Sequence, residues 1–476
     1  MTSEDMTSET ALAPDLLDRF KAIVGERYAI TDPQMQEPYL VEMRDRWRGH
    51  TALILRPGSV EEVSAILKLA NETRTPIVPQ GGNTGLVGGQ IPHHGEIVLS
   101  LTRLDKIREL DPVSSTVTVE TGVTLQRLRE EAAKADRLYP QLLPSEGTCT
   151  IGGNLSTNAG GTTAVAHGIA RAHALGLEVV LADGRILNNL NKLKKDNTGY
   201  DLKNLFIGAE GTLGIITAAV LRLVPRPRSI EIAFLGIPSP EAAVALLNAA
   251  SERTAEITSF ELMSRDGLEM VLKHAAKTRD PLSDPHPWYV LLEISSQVEH
   301  GLRELLEDIL QYGLEHDLIG DGAIAETLEQ GKDFWRLREM LSEVQRSEGG
   351  SIKHDISVPI AAIADFIRET DAAVTALIPG ARPLPFGHVG DGNIHYNISQ
   401  PVGGDKAAFM AQEEAVHGLV YDIVMKHDGS ISAEHGIGIA KREQLAQVKD
   451  PTALALMRTI KQTLDPNNIL NPGKVL

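Results

Sequence analysis

Pro76-Ile-Val-Pro-Gln-Gly-Gly-Asn-Thr-Gly-Leu-Val-Gly-Gly89 runs from a short apolar strand into a loop with five glycines. Glycine has no Cβ, so at a strand end its backbone N–H groups can converge on an anion with no side chain in the way. In form this is a phosphate cradle; a plain structural turn is the alternative. Upstream, Thr51-Ala-Leu-Ile-Leu55 reads as a buried strand stopped by Pro57-Gly58. Ser59 followed by Glu62 is a capping box, and Val60, Val63, Ile66, Leu67 and Ala70 recur at helical spacing, which predicts a helix over residues 59–72 with one buried face. The loop lacks the G-x-G-x-x-G order of a dinucleotide fold and the Gly-Lys-Ser/Thr ending of a Walker loop. That argues against a nicotinamide-type Rossmann domain and against an NTPase.

Two more glycine-rich segments follow. Residues 15–24 form an amphipathic helix pattern, 116–120 alternate as a strand and 124–135 read as a helix, after which comes Pro144-Ser-Glu-Gly-Thr-Cys-Thr-Ile-Gly-Gly-Asn-Leu-Ser-Thr-Asn-Ala-Gly-Gly-Thr162. Residues 175–187 carry a hairpin signal centred on Asp183-Gly184, a pair suited to a type I′ turn. The third segment is Phe206-Ile-Gly-Ala-Glu-Gly-Thr-Leu-Gly-Ile-Ile-Thr217. All three are poor in lysine and arginine, so they suit a large cofactor held mainly by backbone amides.

A different chemistry is concentrated in Phe386-Gly-His-Val-Gly-Asp-Gly-Asn-Ile-His-Tyr-Asn397. His388 and His395 are an odd number of residues apart and cannot share one face of a continuous strand. Gly390-Asp391-Gly392 is the expected break, with His388 in a loop and residues 393–398 forming a strand on which His395 and Asn397 point the same way. The two imidazoles, with Glu434 of Ser430-Ile-Ser-Ala-Glu-His-Gly-Ile-Gly438, make a candidate metal site. A Gly-Asp-Gly turn flanked by solvated or core histidines is the alternative.

Length and composition bound the rest. A chain of 476 residues suggests two or three domains, and its formal charge of −18 argues against a nucleic-acid surface. One cysteine, Cys149, excludes an intrachain disulfide and any thiolate cluster, and points to a reducing compartment. No run of about eighteen apolar residues occurs. The acidic start, MTSEDMTSETALAPDLLDRF, has neither the basic region nor the apolar core of a signal peptide, so the expected location is cytoplasmic.

The three glycine segments, the strand-helix-strand before the first of them, and Leu464-Asp-Pro-Asn-Asn-Ile-Leu-Asn-Pro-Gly-Lys474 resemble the FAD-linked oxidases of the vanillyl-alcohol oxidase flavoprotein superfamily. Within it the chain is similar to the D-2-hydroxyacid dehydrogenases, a group that includes D-lactate and D-2-hydroxyglutarate dehydrogenases, over almost its whole length from Thr51 onward. The resemblance implies an α+β fold: a two-subdomain FAD-binding domain over residues 1–228, an inserted α/β substrate domain over 229–428, and a segment, 429–476, returning to the flavin domain. Pro225-Arg-Pro-Arg-Ser229 has the look of a linker there. In the middle domain, helices over 241–250 and 304–312 and a strand over 288–293 lead us to expect an antiparallel sheet covered by helices on one face.

Carried over by position, Gly81, Gly82, Asn83, Thr84, Gly85, Gly153, Asn154, Thr157, Gly160, Gly161, Glu210, Ile216 and Asn471 would hold FAD. Asn83 stands where some members carry a linking histidine, so non-covalent FAD is expected. His388, His395 and Glu434 would hold Zn²⁺ or a similar divalent ion with an open coordination position. Arg338, Ser342, Lys353 and Asn397 would bind substrate, and His435 would act as general base; solvated charges and a structural histidine are the alternatives. The implied reaction is oxidation of a D-2-hydroxyacid, D-2-hydroxyglutarate ahead of D-lactate or D-malate, with electrons passing to an external acceptor (an electron-transfer flavoprotein, a quinone or a cytochrome) and a homodimer as the assembly. A flavin-bearing electron-carrier subunit without hydroxyacid chemistry is the reading of a different class.

Overall fold

The computed structural model describes residues 12–476; the acidic lead, residues 1–11, lies outside them. The amphipathic pattern near the start is the helix Pro14–Val24, which buries Phe20 and Val24. Strand Ile54–Leu55 leads to helix Val60–Thr73, whose N-cap is the expected one, Ser59 Oγ accepting from the Glu62 amide at 3.3 Å, while the Glu62 carboxylate reaches one residue further back than a capping box requires and accepts from the Gly58 amide at 2.7 Å. Strands Ile54–Leu55, Ile97–Ser100 and Ile77–Gln80 run parallel, with Ala29–Ile30 antiparallel at one edge. The opposite edge, Ile77–Gln80, is taken by the C-terminal tail. The Ile77 amide donates to Ile469 O and the Asn471 amide to Ile77 O, both at 2.8 Å.

A second sheet is antiparallel, in the order Ile107–Asp111, Thr116–Glu120, Ile215–Arg222, Ala174–Val180, Ile186–Asn189. The Asp183-Gly184 hairpin is present with a wider turn than expected. Leu181 N donates to Arg185 O and Gly184 N to Leu181 O, so the loop has three residues, and Gly184, at φ 84°, takes the left-handed position.

The third sheet has seven antiparallel strands, ordered Asp321–Ile324, Ser229–Ile237, Trp288–Ser296, Ile257–Ser264, Arg382–His388, Asn393–Ser399, Ser351–Ser357. Helices cover both of its faces, not one. Ala233, Leu235, Val290, Leu292 and Leu262 lie under helices Pro240–Arg253, Leu302–Glu315 and Ile363–Leu377, with Glu413–Lys426 beyond. The alternate residues Phe234, Leu291, Met263, Leu384 and Phe386 pack with Arg265–His274 and Leu328–Glu339. Two covered faces explain why Trp288-Tyr-Val-Leu-Leu reads as a continuous apolar run instead of alternating, each such side chain contributing roughly 1.5–3 kcal/mol on burial.

Candidate active site

The second face of the seven-stranded sheet carries the polar cluster. His388 is the last residue of its strand, not a loop residue. The turn Val389–Asp391, closed by Gly392 at φ 80°, folds the chain into a hairpin that pairs His388 with Asn393 and Phe386 with His395. Cross-strand partners share a face, and so do residues two apart along a strand, so His388, Asn393, His395 and Asn397 all point one way. On neighbouring strands Glu261 pairs with His388, Asp355 with His395 and Lys353 with Asn397, which adds three more ionisable groups to that face. A Cβ on Gly392 would lie 2.1 Å from Val358 O, so only glycine fits that turn.

One ligand-type atom each from His388, His395 and Glu434 lies within 4.8 Å of the others, and the same holds for Asp355, His395 and His435. His388 Nδ1 is 2.6 Å from Glu261 Oε1, leaving Nε2 facing Glu434 Oε1 at 3.9 Å. Glu261 Oε2 in turn accepts from Arg338 Nε at 2.7 Å, and the Arg338 guanidinium lies 4.8 Å over the Phe386 ring. Arg338 is therefore buried and ion-paired, not solvated, and among the described residues its two terminal nitrogens are free as donors. Asp355 Oδ2 accepts the amides of Glu434 at 3.0 Å and His435 at 2.8 Å, and Asn393 Nδ2 donates to Oδ1 at 3.1 Å. Lys441 Nζ ties Ile431 O at 2.8 Å and Asp355 O at 3.4 Å. Lys353 Nζ donates to Ser342 O at 2.9 Å, Gln345 Oε1 at 3.1 Å and Ser342 Oγ at 3.4 Å, and Gln345 Oε1 also accepts from Asn397 Nδ2 at 3.1 Å.

Each charge state has a cause. Burial alone would lower His388, but Glu261 and Glu434 beside it raise it to about 9. The negative potential that holds a proton there is the potential a divalent cation would meet, and the nitrogen–nitrogen–carboxylate donor set suits Zn²⁺. Burial would raise Asp355, yet His435, Lys441 and His395 hold it well below the usual carboxylate range. Burial lowers His435 to about 4, with Asp355 opposing, so its imidazole is neutral. Burial, then Arg44 and Arg346, lower Lys353 to about 7.

Next to this face lies a cleft lined by Gly81, Gly82, Asn83, Thr84, Gly85, Gly153, Asn154, Thr157, Glu210 and Asn471. The first two glycine loops meet backbone to backbone: a Cβ on Gly82 would lie 1.9 Å from Thr148 O. Asn154 and Asn471 are buried, and Asn471 Oδ1 is a buried acceptor without a partner among the described residues, the kind of atom a cofactor would satisfy. The Asn83 side chain turns away, donating to Pro38 O at 3.0 Å and Val41 O at 2.9 Å. The segment carrying Glu434 links the two regions. The Glu210 carboxylate accepts the Ile437 and Gly438 amides at 2.7 and 2.8 Å, and Glu434 Oε1 accepts the Gly161 amide at 2.7 Å. Burial raises Glu210 to about 7 against the pull of those two amides.

The family model for the FAD binding domain matches residues 51–189, and that for FAD linked oxidases, C-terminal domain, matches residues 226–475. The chain belongs to the FAD-linked oxidases. D-2-hydroxyglutarate dehydrogenase, mitochondrial, of Arabidopsis thaliana is 38% identical over 458 residues, 96% of this chain and 80% of that one. D-2-hydroxyglutarate dehydrogenase of Xanthomonas citri pv. viticola is 38% identical over 462 residues, 97% of each chain. Among solved structures, p-cresol methylhydroxylase with substrate bound matches with a TM-score of 0.76 at 18% identity over 97% of this chain and 96% of that one, a likeness of fold.

Three further residues expected at the cofactor have these neighbours in this FAD-linked oxidase. Gly160 and Gly161 abut Glu434, where a Cβ on Gly160 would come within 2.3 Å of Oε1, and Ile216 is buried inside the five-stranded sheet opposite Val179. Glu261, Asp355, Asn393 and Lys441 were not foreseen. Glu261 had a signal: a lone acid inside the apolar strand Ile257–Ser264 must find a partner once buried. Asp355 also had one, two residues from Lys353 on the same strand. Among the described residues no helix is long and apolar enough to cross a membrane.

Proposed function

We propose that this FAD-linked oxidase converts a D-2-hydroxyacid, D-2-hydroxyglutarate ahead of D-malate and D-lactate, to the 2-oxoacid. The observation that carries this reading is one sheet face that gathers three candidate ligand side chains, a neutral histidine and two cations beside a glycine-walled cleft. The names of the two 38% identical relatives support the diacid. Division of the chain at residues 228 and 428 is supported by the start of the seven-stranded sheet at Ser229 and by the tail pairing with Ile77.

FAD, held without a covalent link, would supply the hydride acceptor, and a divalent cation held by His388, His395 and Glu434 would supply Lewis-acid polarisation of the substrate hydroxyl. His435 takes the hydroxyl proton on its neutral ring, its backbone fixed by Asp355. Arg338, through its terminal nitrogens, and Lys353, with Ser342 and Asn397 around it, hold carboxylates by charge-assisted hydrogen bonds. Electrons leave to an external flavoprotein, quinone or cytochrome, and the lone buried Cys149 suits a reducing compartment, the cytoplasm in the first instance.

Anaerobic mixing with a panel of D- and L-hydroxyacids tests the reading. Flavin bleaching should be fastest with a D-2-hydroxy diacid; D-lactate outperforming every diacid would overturn the substrate assignment, and no bleaching by any hydroxyacid would favour the electron-carrier reading.

A further inference from the structure

Strand Ser351–Ser357 carries Lys353 and Asp355 on the polar face, yet it is an edge of the seven-stranded sheet and pairs along its length only with Asn393–Ser399. On its open side the backbone is met near one end, where Ser357 bridges Ser430 and the Ala433 amide lies 3.4 Å from Asp355 O. Among the described residues the half around Lys353 has no backbone partner there. A strand paired on one side opens more readily than one paired on both, so something else must hold this one.

The residue between Lys353 and Asp355 points to the opposite face and is a buried histidine. Burial, with His417 beside it, lowers His354 well below the ordinary imidazole range, so that ring is neutral. Its Nδ1 is 2.9 Å from Tyr396 O and therefore carries the proton, which leaves Nε2 as an acceptor. That Nε2 lies 2.8 Å from His417 Nδ1 on helix Glu413–Lys426, so His417 Nδ1 has to donate. The other nitrogen of His417, Nε2, is 3.4 Å from Glu413 Oε1. A neutral His417 donating through Nδ1 would turn a lone pair toward that carboxylate; the doubly protonated ring suits both neighbours. Glu413 Oε1 is buried, accepts no aligned hydrogen bond among the described residues, and lies 3.0 Å from Arg46 Nη2, so charge holds it. His417 keeps the Glu413 carboxyl below its ordinary range against burial, and Arg46 adds to the effect. Tyr421 stacks on His417 with ring centroids 5.6 Å apart and meets His354 edge-on at 5.7 Å, which confines both rings. Arg46 belongs to residues 41–48, a hairpin closed by the bridge from Val41 to Arg48 and fastened to the first glycine loop: Asn83 Nδ2 donates to Val41 O at 2.9 Å, and Trp47 lies against the position a Gly88 Cβ would fill.

We propose that doubly protonated His417 is the clasp that fixes the edge strand bearing Lys353 and Asp355 to the first glycine loop, through His354 on one side and Glu413, Arg46 and the 41–48 hairpin on the other. His354 and His417 are then positioning residues, acting through the two residues that flank His354. The proposal rests on the hydroxyacid reading only in giving Lys353 and Asp355 a part in the reaction. With both protons on His417 the chain from Tyr396 O to Arg46 is complete; as pH rises and Nε2 loses its proton, a lone pair faces Glu413 Oε1. The hold on strand and hairpin is therefore full at low pH and lost as pH rises. The titratable and charged groups facing His417 are His354 from the strand, Glu413 and Tyr421 from its own helix and Arg46 from the hairpin, with the charge of Lys441 bearing on His354.

Hydrogen exchange of the holoenzyme at pH about 6 and about 8.5, corrected for the intrinsic pH dependence of exchange, tests this over residues 351–357 and 41–48. Both segments should be roughly three- to tenfold better protected at the lower pH. Glu413→Gln offers an amide whose NH₂ a neutral His417 can accept from, so its protection should not change with pH. His417→Phe, which keeps the stacking on Tyr421, should hold both segments at or below the parent's high-pH protection throughout. At pH about 6 it should also lower kcat/KM for D-2-hydroxyglutarate roughly three- to tenfold with FAD and metal content unchanged. A parent without the pH step, a Glu413→Gln enzyme that keeps the step, or a His417→Phe enzyme with parental kcat/KM would each overturn the proposal; should His417→Phe lose FAD, the Glu413→Gln comparison decides. Flavin that no hydroxyacid bleaches, with the pH step present in the parent and absent in Glu413→Gln, would instead sink the hydroxyacid reading and leave the clasp standing.

Discussion

Glu261→Gln is the most informative single change. The carboxylate is fully buried, with Oε1 2.6 Å from His388 Nδ1 and Oε2 2.7 Å from Arg338 Nε, so it receives two N–H donors and shares two positive charges. Glutamine keeps the shape and brings one acceptor and one NH₂. If its oxygen serves Arg338, its NH₂ faces His388, whose neutral, metal-binding form can comply only by moving its proton from Nδ1 to Nε2. That removes the lone pair aimed at Glu434 and His395. Loss of a carboxylate behind a ligating histidine typically costs ten- to a hundredfold in metal affinity, and removing one partner of a buried ion pair costs roughly 3–5 kcal/mol. Metal occupancy after dialysis against graded chelator reads the first effect. Hydrogen exchange over residues 257–264 and 382–399 reads the second, because a multidomain holoprotein need not melt in one step. A Glu261→Gln enzyme that keeps parental metal affinity and parental protection would refute the reasoning.

Four further outcomes are expected. Acid precipitation should release the yellow colour into the supernatant, since the Asn83 side chain is committed to Pro38 and Val41; colour kept in the pellet would show a covalent link. Prolonged chelation should abolish turnover while FAD stays bound, with Zn²⁺ restoring it; full activity in protein shown metal-free by elemental analysis would exclude the metal role. His435→Ala should slow anaerobic flavin reduction on the order of 10²–10⁴-fold with FAD and metal content unchanged, whereas a parental rate would leave it a structural residue. Lys353, lowered to about 7 by burial and by Arg44 and Arg346, must be charged to bind a carboxylate. Hence kcat/KM for a diacid should fall as pH rises through about 7, while kcat, read in the complex where the bound anion raises the lysine again, should not; an identical limb in Lys353→Met would assign it elsewhere.

What was legible in the sequence is what local chemistry demands. Gly82 must be glycine because Thr148 O leaves no room for a Cβ, and Ser59 with Glu62 caps its helix wherever that helix goes. The odd spacing of His388 and His395 required a break, and a hairpin satisfies it more fully than a loop, since cross-strand pairing returns both rings to one face. The second covered face of the large sheet was harder to see. Its helix Leu328–Glu339 is so polar on its exposed positions that Arg338 reads as a solvated charge until Glu261, 77 residues away, is brought beside it. Asp355 was hidden for the same reason: a buried acid is defined by its neighbours, and these come from other segments of the chain.

The same dependence explains why the glycine-walled cleft and the polar sheet face form one unit. Glu434 offers one carboxylate both to the Gly161 amide in the second glycine loop and to the cluster around His388. Glu210, lining the cleft, holds the next turn of that segment through Ile437 and Gly438, where a Cβ on Gly436 would lie 2.7 Å from Oε1. Asp355, from the far edge of the large sheet, takes the amides of Glu434 and His435 from the other side. A backbone segment fixed at both sides by carboxylates cannot shift toward the cleft without leaving the sheet face. Displacement of the cleft wall at Glu210 should therefore be felt as a displacement of Glu434 and His435, so the carboxylates of Glu210 and Asp355 tie the cleft to the cluster around His388.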